Sequence, residues 1–106
     1  MIRVTVLYPK TDESRFDWDY YLNKHTPMVK DRLMPLGLTR LEIDEGLGGL
    51  APGEAPAYLV IAHLHFASVE DLQNGLGLHG AEIMGDIANF TNVQPQIQIN
   101  RKVMTD

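Results

Sequence analysis

Residues 57–67 read Ala57-Tyr58-Leu59-Val60-Ile61-Ala62-His63-Leu64-His65-Phe66-Ala67, the most strand-like stretch of the chain. Successive side chains of a strand point to opposite faces. Tyr58, Val60, Ala62, Leu64 and Phe66 therefore share one face, and Leu59, Ile61 and Ala67 share the other. Both faces are apolar, and a strand that is greasy on both sides is usually covered on both sides. Helices can cover one. A second copy of the sheet is the simplest cover for the other, because a bare apolar face invites association. The second face also carries His63 and His65, and sheet parity expects Arg3, Thr5, Gln96 and Gln98 there. Apolar groups mixed with imidazoles and amides make a poor dry core and a suitable lining for a small pocket. The plainer alternative leaves the polar members in water at a sheet edge.

Working outward, Leu38 to Leu47 alternates, with Thr39, Leu41 and Ile43 set against Arg40, Glu42 and Asp44. Ile2 to Tyr8 is β-branched and apolar, and Val93 to Val103 alternates again; these are the remaining strands. Asp17 opens a helical pattern with Phe16 ahead of it as a staple residue. Trp18, Leu22, His25, Val29 and Leu33 recur at three- and four-residue spacing as one amphipathic stripe. Pro27 is expected to kink or restart this helix near Lys24 to Thr26, and Gly37 closes the region. Gly46 to Pro56, rich in Gly, Pro and Ala, is a loop. Ser68 and Asp71 form a capping-box pattern for a short helix ending around Gly75 to Gly77, with a further helical turn or two over His79 to Ile87. The order β-α-β-β-α-β predicts an α+β, ferredoxin-like domain over residues 1–106, a four-stranded antiparallel sheet with helices on one face.

The chain has 106 residues, enough for one hydrophobic core and too few for two. It has no cysteine, which excludes a disulfide framework, a thiolate nucleophile and Cys-ligated zinc. A net charge of -5 with nine scattered basic residues argues against nucleic acid as a partner. Met1-Ile2-Arg3-Val4 already reads as strand rather than as a signal peptide, and no apolar run approaches a membrane span. A cytoplasmic protein without a membrane partner is expected.

The run Arg15-Phe16-Asp17-Trp18-Asp19-Tyr20-Tyr21-Leu22-Asn23-Lys24-His25-Thr26-Pro27-Met28 resembles the first-helix signature of the EthD family, Phe-Asp-x-x-Tyr-Tyr-x-x-x-His-x-Pro-Leu. Met28 stands where Leu is common. The stretches Glu82 to Asn92 and Val93 to Gln98 resemble the same family, so the likeness covers nearly the whole chain. The resemblance implies a dimeric α+β barrel, in which two ferredoxin-like sheets pack face to face as a homodimer. It also implies a connection with ethyl tert-butyl ether degradation. Similar barrels include lactone isomerases, cofactor-free oxygenases, polyketide cyclases and haem-degrading enzymes, among which fold alone does not choose.

His25 is the leading candidate for chemistry, just before the Pro27 break, with Tyr21 four residues earlier on the same helical face. An imidazole with a pKa near ~6.5 exchanges protons at neutral pH, and a phenol can polarise a carbonyl. The competing reading is a helix histidine bonded to a backbone carbonyl that stiffens the kink. His63 and His65 are two residues apart on one face and could hold a metal with a carboxylate or His25 as third ligand. A satisfied structural pair, or one pocket donor beside a bystander, is preferred, and no metal is expected. Asp86 is read as capping or pairing within the last helix, and Gly46-x-Gly48-Gly49 lacks the context of a phosphate loop.

Two functions compete. The first is an enzyme in which His25, with His63 or His65, moves a proton on a small apolar carbonyl-bearing ligand in the barrel cavity. Isomerisation, cyclisation or cofactor-free oxidation would fit, and the family resemblance implies a place in the breakdown of ethers or other xenobiotics. The second is a non-catalytic binding or accessory protein for a hydrophobic metabolite, supporting a partner oxidoreductase. Haem held by a histidine is a third possibility, although no cofactor motif is present and no cofactor is expected.

Overall fold

Asp17 caps the first helix as its position predicts: its Oδ1 accepts the Tyr20 amide at 3.1 Å. Phe16 packs its ring against Tyr21 at 4.8 Å, which is the hydrophobic staple across the cap. The computed structural model describes all 106 residues. Strand β1 is Ile2–Pro9; α1 is Trp18–Tyr20, continued by a π turn over Tyr21–His25 and by α2, Thr26–Leu33. Strands β2 (Leu38–Glu45) and β3 (Tyr58–Phe66) follow, then α3 (Val69–Gly85) and β4 (Gln96–Arg101).

The sheet is antiparallel with order β2-β3-β1-β4, so the ferredoxin-like prediction holds. Register bears out the faces read from β3 except at Tyr58, which lies beside the irregularity at Tyr8/Pro9 and whose hydroxyl donates to Gln96 at 3.3 Å. Val60, Ala62, Leu64 and Phe66 are buried beneath the helices with Ile2, Val4, Val29, Leu33, Leu38 and Leu72. On the opposite face Arg3 lies beside His65 and Thr5 beside His63, while Gln98 flanks Thr5 and Gln96 flanks Leu7. A second, largely aromatic cluster of Tyr8, Tyr21, Val60, Ile87 and Phe90 fills the end of the sheet nearest α1.

The helices depart from the expected pattern in two places. Of the two outcomes expected near Pro27 the structure shows a restart rather than a kink: a π turn over Tyr21–His25 precedes the α-helix that begins at Thr26. Thr26 N–H reaches back to the Tyr21 carbonyl, five residues away. In that register the Leu22 carbonyl would need a donor from Pro27, which has none; the Thr26 hydroxyl fills the gap at 3.1 Å. The wider turn also alters the stripe. Tyr21, His25, Val29 and Leu33 are buried, whereas Leu22, predicted to face inward, is 49% exposed.

The second departure is α3. Ser68 caps it through the Asp71 amide at 3.1 Å, but Gly75 and Gly77 do not end it; the helix runs on to Gly85. Glycine weakens a helix by about 1 kcal/mol relative to alanine without forbidding it. Gly75 has a packing reason, since a Cβ there would lie 3.1 Å from Leu33 Cδ2. Gly37, at φ 109°, closes the turn after α2 as expected. No helix is long and apolar enough to cross a membrane.

Candidate functional site

The π turn delivers His25 into the space between helices and sheet, where it is only 5% exposed. Its ring stacks on Tyr21 with centroids 5.5 Å apart and lies 4.6 Å from Phe90. Nδ1 meets Asp86 Oδ2 at 2.9 Å. Asp86 sits at the C-terminal end of α3, where the helix dipole disfavours a negative charge. Three donors offset that cost. The Tyr20 hydroxyl donates to Oδ1 at 2.6 Å and Asn89 Nδ2 to the same oxygen at 2.9 Å, beside the His25 contact on Oδ2.

Burial by itself would raise the Asp86 pKa, but the hydrogen bonds from Tyr20, Asn89 and His25 outweigh it and hold the carboxyl below its usual range. An ionised carboxylate only accepts hydrogen bonds, so Nδ1 of His25 carries the proton. Nε2 makes no hydrogen bond within the chain and is the nitrogen left to meet a ligand. The Tyr20 phenol is raised above its ordinary value, first by its bond to the Asp86 carboxylate.

His25 lines an apolar cleft of about 50 Å³. Val6 and Tyr8 of β1 and Ala62 and Leu64 of β3 form its floor, Tyr21 and Val29 one wall, and Ile83, Met84 and Ile87 the other. Burial pushes both the Tyr8 and Tyr21 phenols well above their ordinary pKa, so both remain protonated donors. Segment 13–17 is clipped to segment 90–92 nearby: Asp17 N–H donates to Phe90 O at 2.7 Å, and the Thr91 hydroxyl to Arg15 O at 2.6 Å. A larger hollow of about 540 Å³ over Arg15–Asp17 and Ala88–Asn92 is shallow and mixed in character, and none of the titratable cluster lines it.

The structure does not bring His25 together with His63 and His65, as the single-cavity expectation required. The floor of the cleft is made by Val6, Tyr8, Ala62 and Leu64, whose neighbours Thr5, Leu7, His63 and His65 point through the sheet to its open face. The correction follows from the helix carrying His25, which packs on the covered face. On the open face His65 Nε2 pairs with Glu42 Oε1 at 2.7 Å, and His63 Nε2 lies 3.4 Å from Asp44 Oδ2. His63 Nδ1 is 3.3 Å from the Thr5 hydroxyl, which accepts from Asn100 Nδ2 at 3.1 Å. Each imidazole thus has its own carboxylate from β2, and no cluster of three or more metal-binding side chains forms. The hydrogen bond from His65 lowers the Glu42 pKa and outweighs the partial desolvation that would raise it.

Tyr21 contributes its ring to His25, but the phenol bonded into the dyad belongs to Tyr20. Sequence reasoning missed Tyr20 and Asn89 and gave Asp86 only a capping or pairing role. The Tyr20-Tyr21 doublet beside His25 was the available signal; the carboxylate end of the network, 61 residues away, carries none.

A ferredoxin-like domain with a buried His-Asp pair facing an apolar cleft is the class that this geometry defines. Residues 9–94 match the EthD domain, and the chain belongs to the EthD family. An EthD-like protein from Ralstonia eutropha is 40% identical, with a TM-score of 0.91 over 99% of this chain and 94% of that one. An EthD family protein from Bacillus halodurans shares 16% identity at a TM-score of 0.66, covering 97% of this chain and 99% of the other. A dimeric ferredoxin-like protein from an uncultured marine organism shares 12% identity at a TM-score of 0.62, over 99% and 96% of the two chains. The last two likenesses are of fold. No curated protein sequence matches the chain.

Proposed function

We propose that the chain is a small-molecule enzyme in which His25, oriented by Asp86, moves a proton on an apolar carbonyl-bearing ligand. The reacting cleft lies between helices and sheet. The observation that carries this reading is the 2.9 Å contact of Nδ1 with a carboxylate held ionised by three donors. That contact leaves Nε2 as the base. Nε2 takes a proton from the carbon beside the carbonyl, and the electron pair of that C–H bond passes to the carbonyl oxygen. Tyr8 and Tyr21, which line the same cleft as protonated phenols, supply hydrogen-bond donors for the oxygen. Asp86 stabilises the imidazolium that forms. Return of the proton to a different carbon is an isomerisation; attack of the enolate on a second carbonyl of the ligand is a cyclisation. The family's association with ethyl tert-butyl ether supports a role in the breakdown of ethers or related xenobiotics.

The working unit in this proposal is a homodimer, with the open sheet face covered by a second copy. The half-buried Leu59 and Ile61 on that face and the dimeric ferredoxin-like relative support it. His63 and His65 then belong to the interface rather than to the reacting cleft.

The experiment is hydrogen-deuterium exchange at the acidic carbons of apolar ketones, with 2-tetralone and ethyl acetoacetate as probes, followed by NMR in D2O. Wild type is expected to exchange them faster than buffer and His25→Ala to fall to the buffer rate. Equal rates for the two proteins overturn the proposal. A probe that binds the cleft without exchanging points instead to a binding or accessory protein.

A further inference from the structure

The cleft beside His25 has room for one or two waters at about 50 Å³, which is far less than an organic ligand needs. Something must move for a ligand to reach Nε2. Of the elements around the cleft, β1 and β3 are paired on both sides in the middle of the sheet, β2, which adds Leu41, is paired along its length to β3, and the first helix is anchored by buried Tyr21, Val29 and Leu33. The wall from α3 is different. Its only buried residues are Leu72 and Gly75, both in the first half of its 17 residues.

From Leu76 onward nothing in α3 is buried, yet this half carries Ile83 and Met84 over the cleft. It also holds Gly77, Gly80 and Gly85. A Cβ at Gly77 or Gly85 would meet nothing within 4 Å, and one at Gly80 only an ordinary contact of 3.7 Å to Leu76. Packing therefore requires none of these glycines, in contrast to Gly75. Each costs helix stability and fixes nothing in return. A helical half with few buried contacts and weak intrinsic propensity is the part of a fold that opens at low free energy.

We infer that residues 76–85 of α3 are a lid that opens to admit a ligand to His25, with Met84 as its inner edge. The inference rests on the reading of this cleft as the ligand site, although its test needs no turnover. Met84, 43% exposed while lining the cleft, stands where the passage from solvent would run. Because the lid ends at Asp86, opening also loosens the carboxylate that orients the imidazole. His25 would then be fully set only when the lid is closed over its ligand.

The test combines amide exchange with chemical modification. In wild type, residue-resolved NMR exchange should show residues 80–85 at least tenfold less protected than Val29–Leu33. Gly77→Ala with Gly80→Ala should raise protection of that segment by roughly fivefold per substitution, from the helix propensity difference. Diethyl pyrocarbonate is too large for the closed cleft, so its reaction with His25 reports opening, and free Nα-acetylhistidine in the same reaction serves as the control. The double variant should slow His25 modification several-fold and Ala81→Gly should speed it, with the rate of the free histidine unchanged in both. Wild-type protection equal to that of Val29–Leu33 overturns the lid. So does a His25 rate that ignores both variants. Neither result touches the ketone-exchange experiment, so the two proposals fail separately.

Discussion

His25 Nδ1 and Asp86 Oδ2 lie 2.9 Å apart across 61 residues of chain, one on the π turn of the first helix and the other at the end of α3. The contact ties the two helical segments together at the point where the cleft opens. Asp86→Ala leaves the buried Nδ1–H without an acceptor and frees Tyr20 and Asn89. A stability loss of about 1–3 kcal/mol is expected from the lost charge-assisted bonds, measured by urea unfolding at pH 7.

The same carboxylate should register in acid. Its folded pKa is lowered below the ordinary ~3.9 of an unfolded aspartate. Between the two values the unfolded chain binds more protons, so stability rises with pH there. The contribution is complete above the unfolded value and disappears as pH falls through the folded one. Urea midpoints collected from pH 5 downward should therefore drop less steeply for Asp86→Asn than for wild type. Parallel curves would show that Asp86 is not linked to folding.

The two adjacent tyrosines should behave differently. Tyr20→Phe removes a 2.6 Å bond to Asp86 and is expected to lower the urea midpoint. It should also raise the pKa of Asp86, visible in the carboxyl carbon chemical shift as pH is varied. The Tyr21 hydroxyl makes no hydrogen bond within the chain, so Tyr21→Phe should stay within about 0.5 kcal/mol of wild type. It would nonetheless slow ketone exchange if its phenol supports the carbonyl oxygen.

Thr26 tests the account of the π turn. Its hydroxyl fills the place of the donor that Pro27 lacks. Thr26→Val leaves the Leu22 carbonyl to find water and should cost about 1 kcal/mol, whereas Thr26→Ser, which keeps the hydroxyl, should cost less. Thermal unfolding of the two variants side by side is the measurement.

For the dimer, Ile61→Asp puts a charge at the middle of the open sheet face, beside Leu7. Light scattering at micromolar concentration should give twice the chain mass for wild type and a single chain mass for the variant. A monomeric wild type would remove the reason for assigning His63 and His65 to an interface.

The sheet was legible because alternation along β3 is a local signal, and its parity carried directly to Arg3, Thr5, Gln96 and Gln98. The capping roles of Asp17 and Ser68 were legible for the same reason, being settled within four residues. The pairing of His25 with Asp86 was not, since it depends on how α3 lies across the first helix. Nor was the inward turn of Tyr21 in place of Leu22, which follows from one wide turn that a uniform helical period cannot represent. Placing all three histidines in one hollow failed for a related reason: residue type marks what can do chemistry, whereas the side of the sheet is set by packing.

The π turn makes the first helix sensitive to length rather than composition. It holds one residue more than an α turn would, and an α-helix advances about 100° per residue. Deleting a single exposed residue such as Asn23 would let Tyr21 to His25 rewind as ordinary α-helix without disturbing α2. The rings of Tyr20 and Tyr21 would then swing around the axis relative to His25. One of the cheapest changes a surface helix can suffer would here dismantle the dyad's surroundings while leaving every residue of the dyad in the chain.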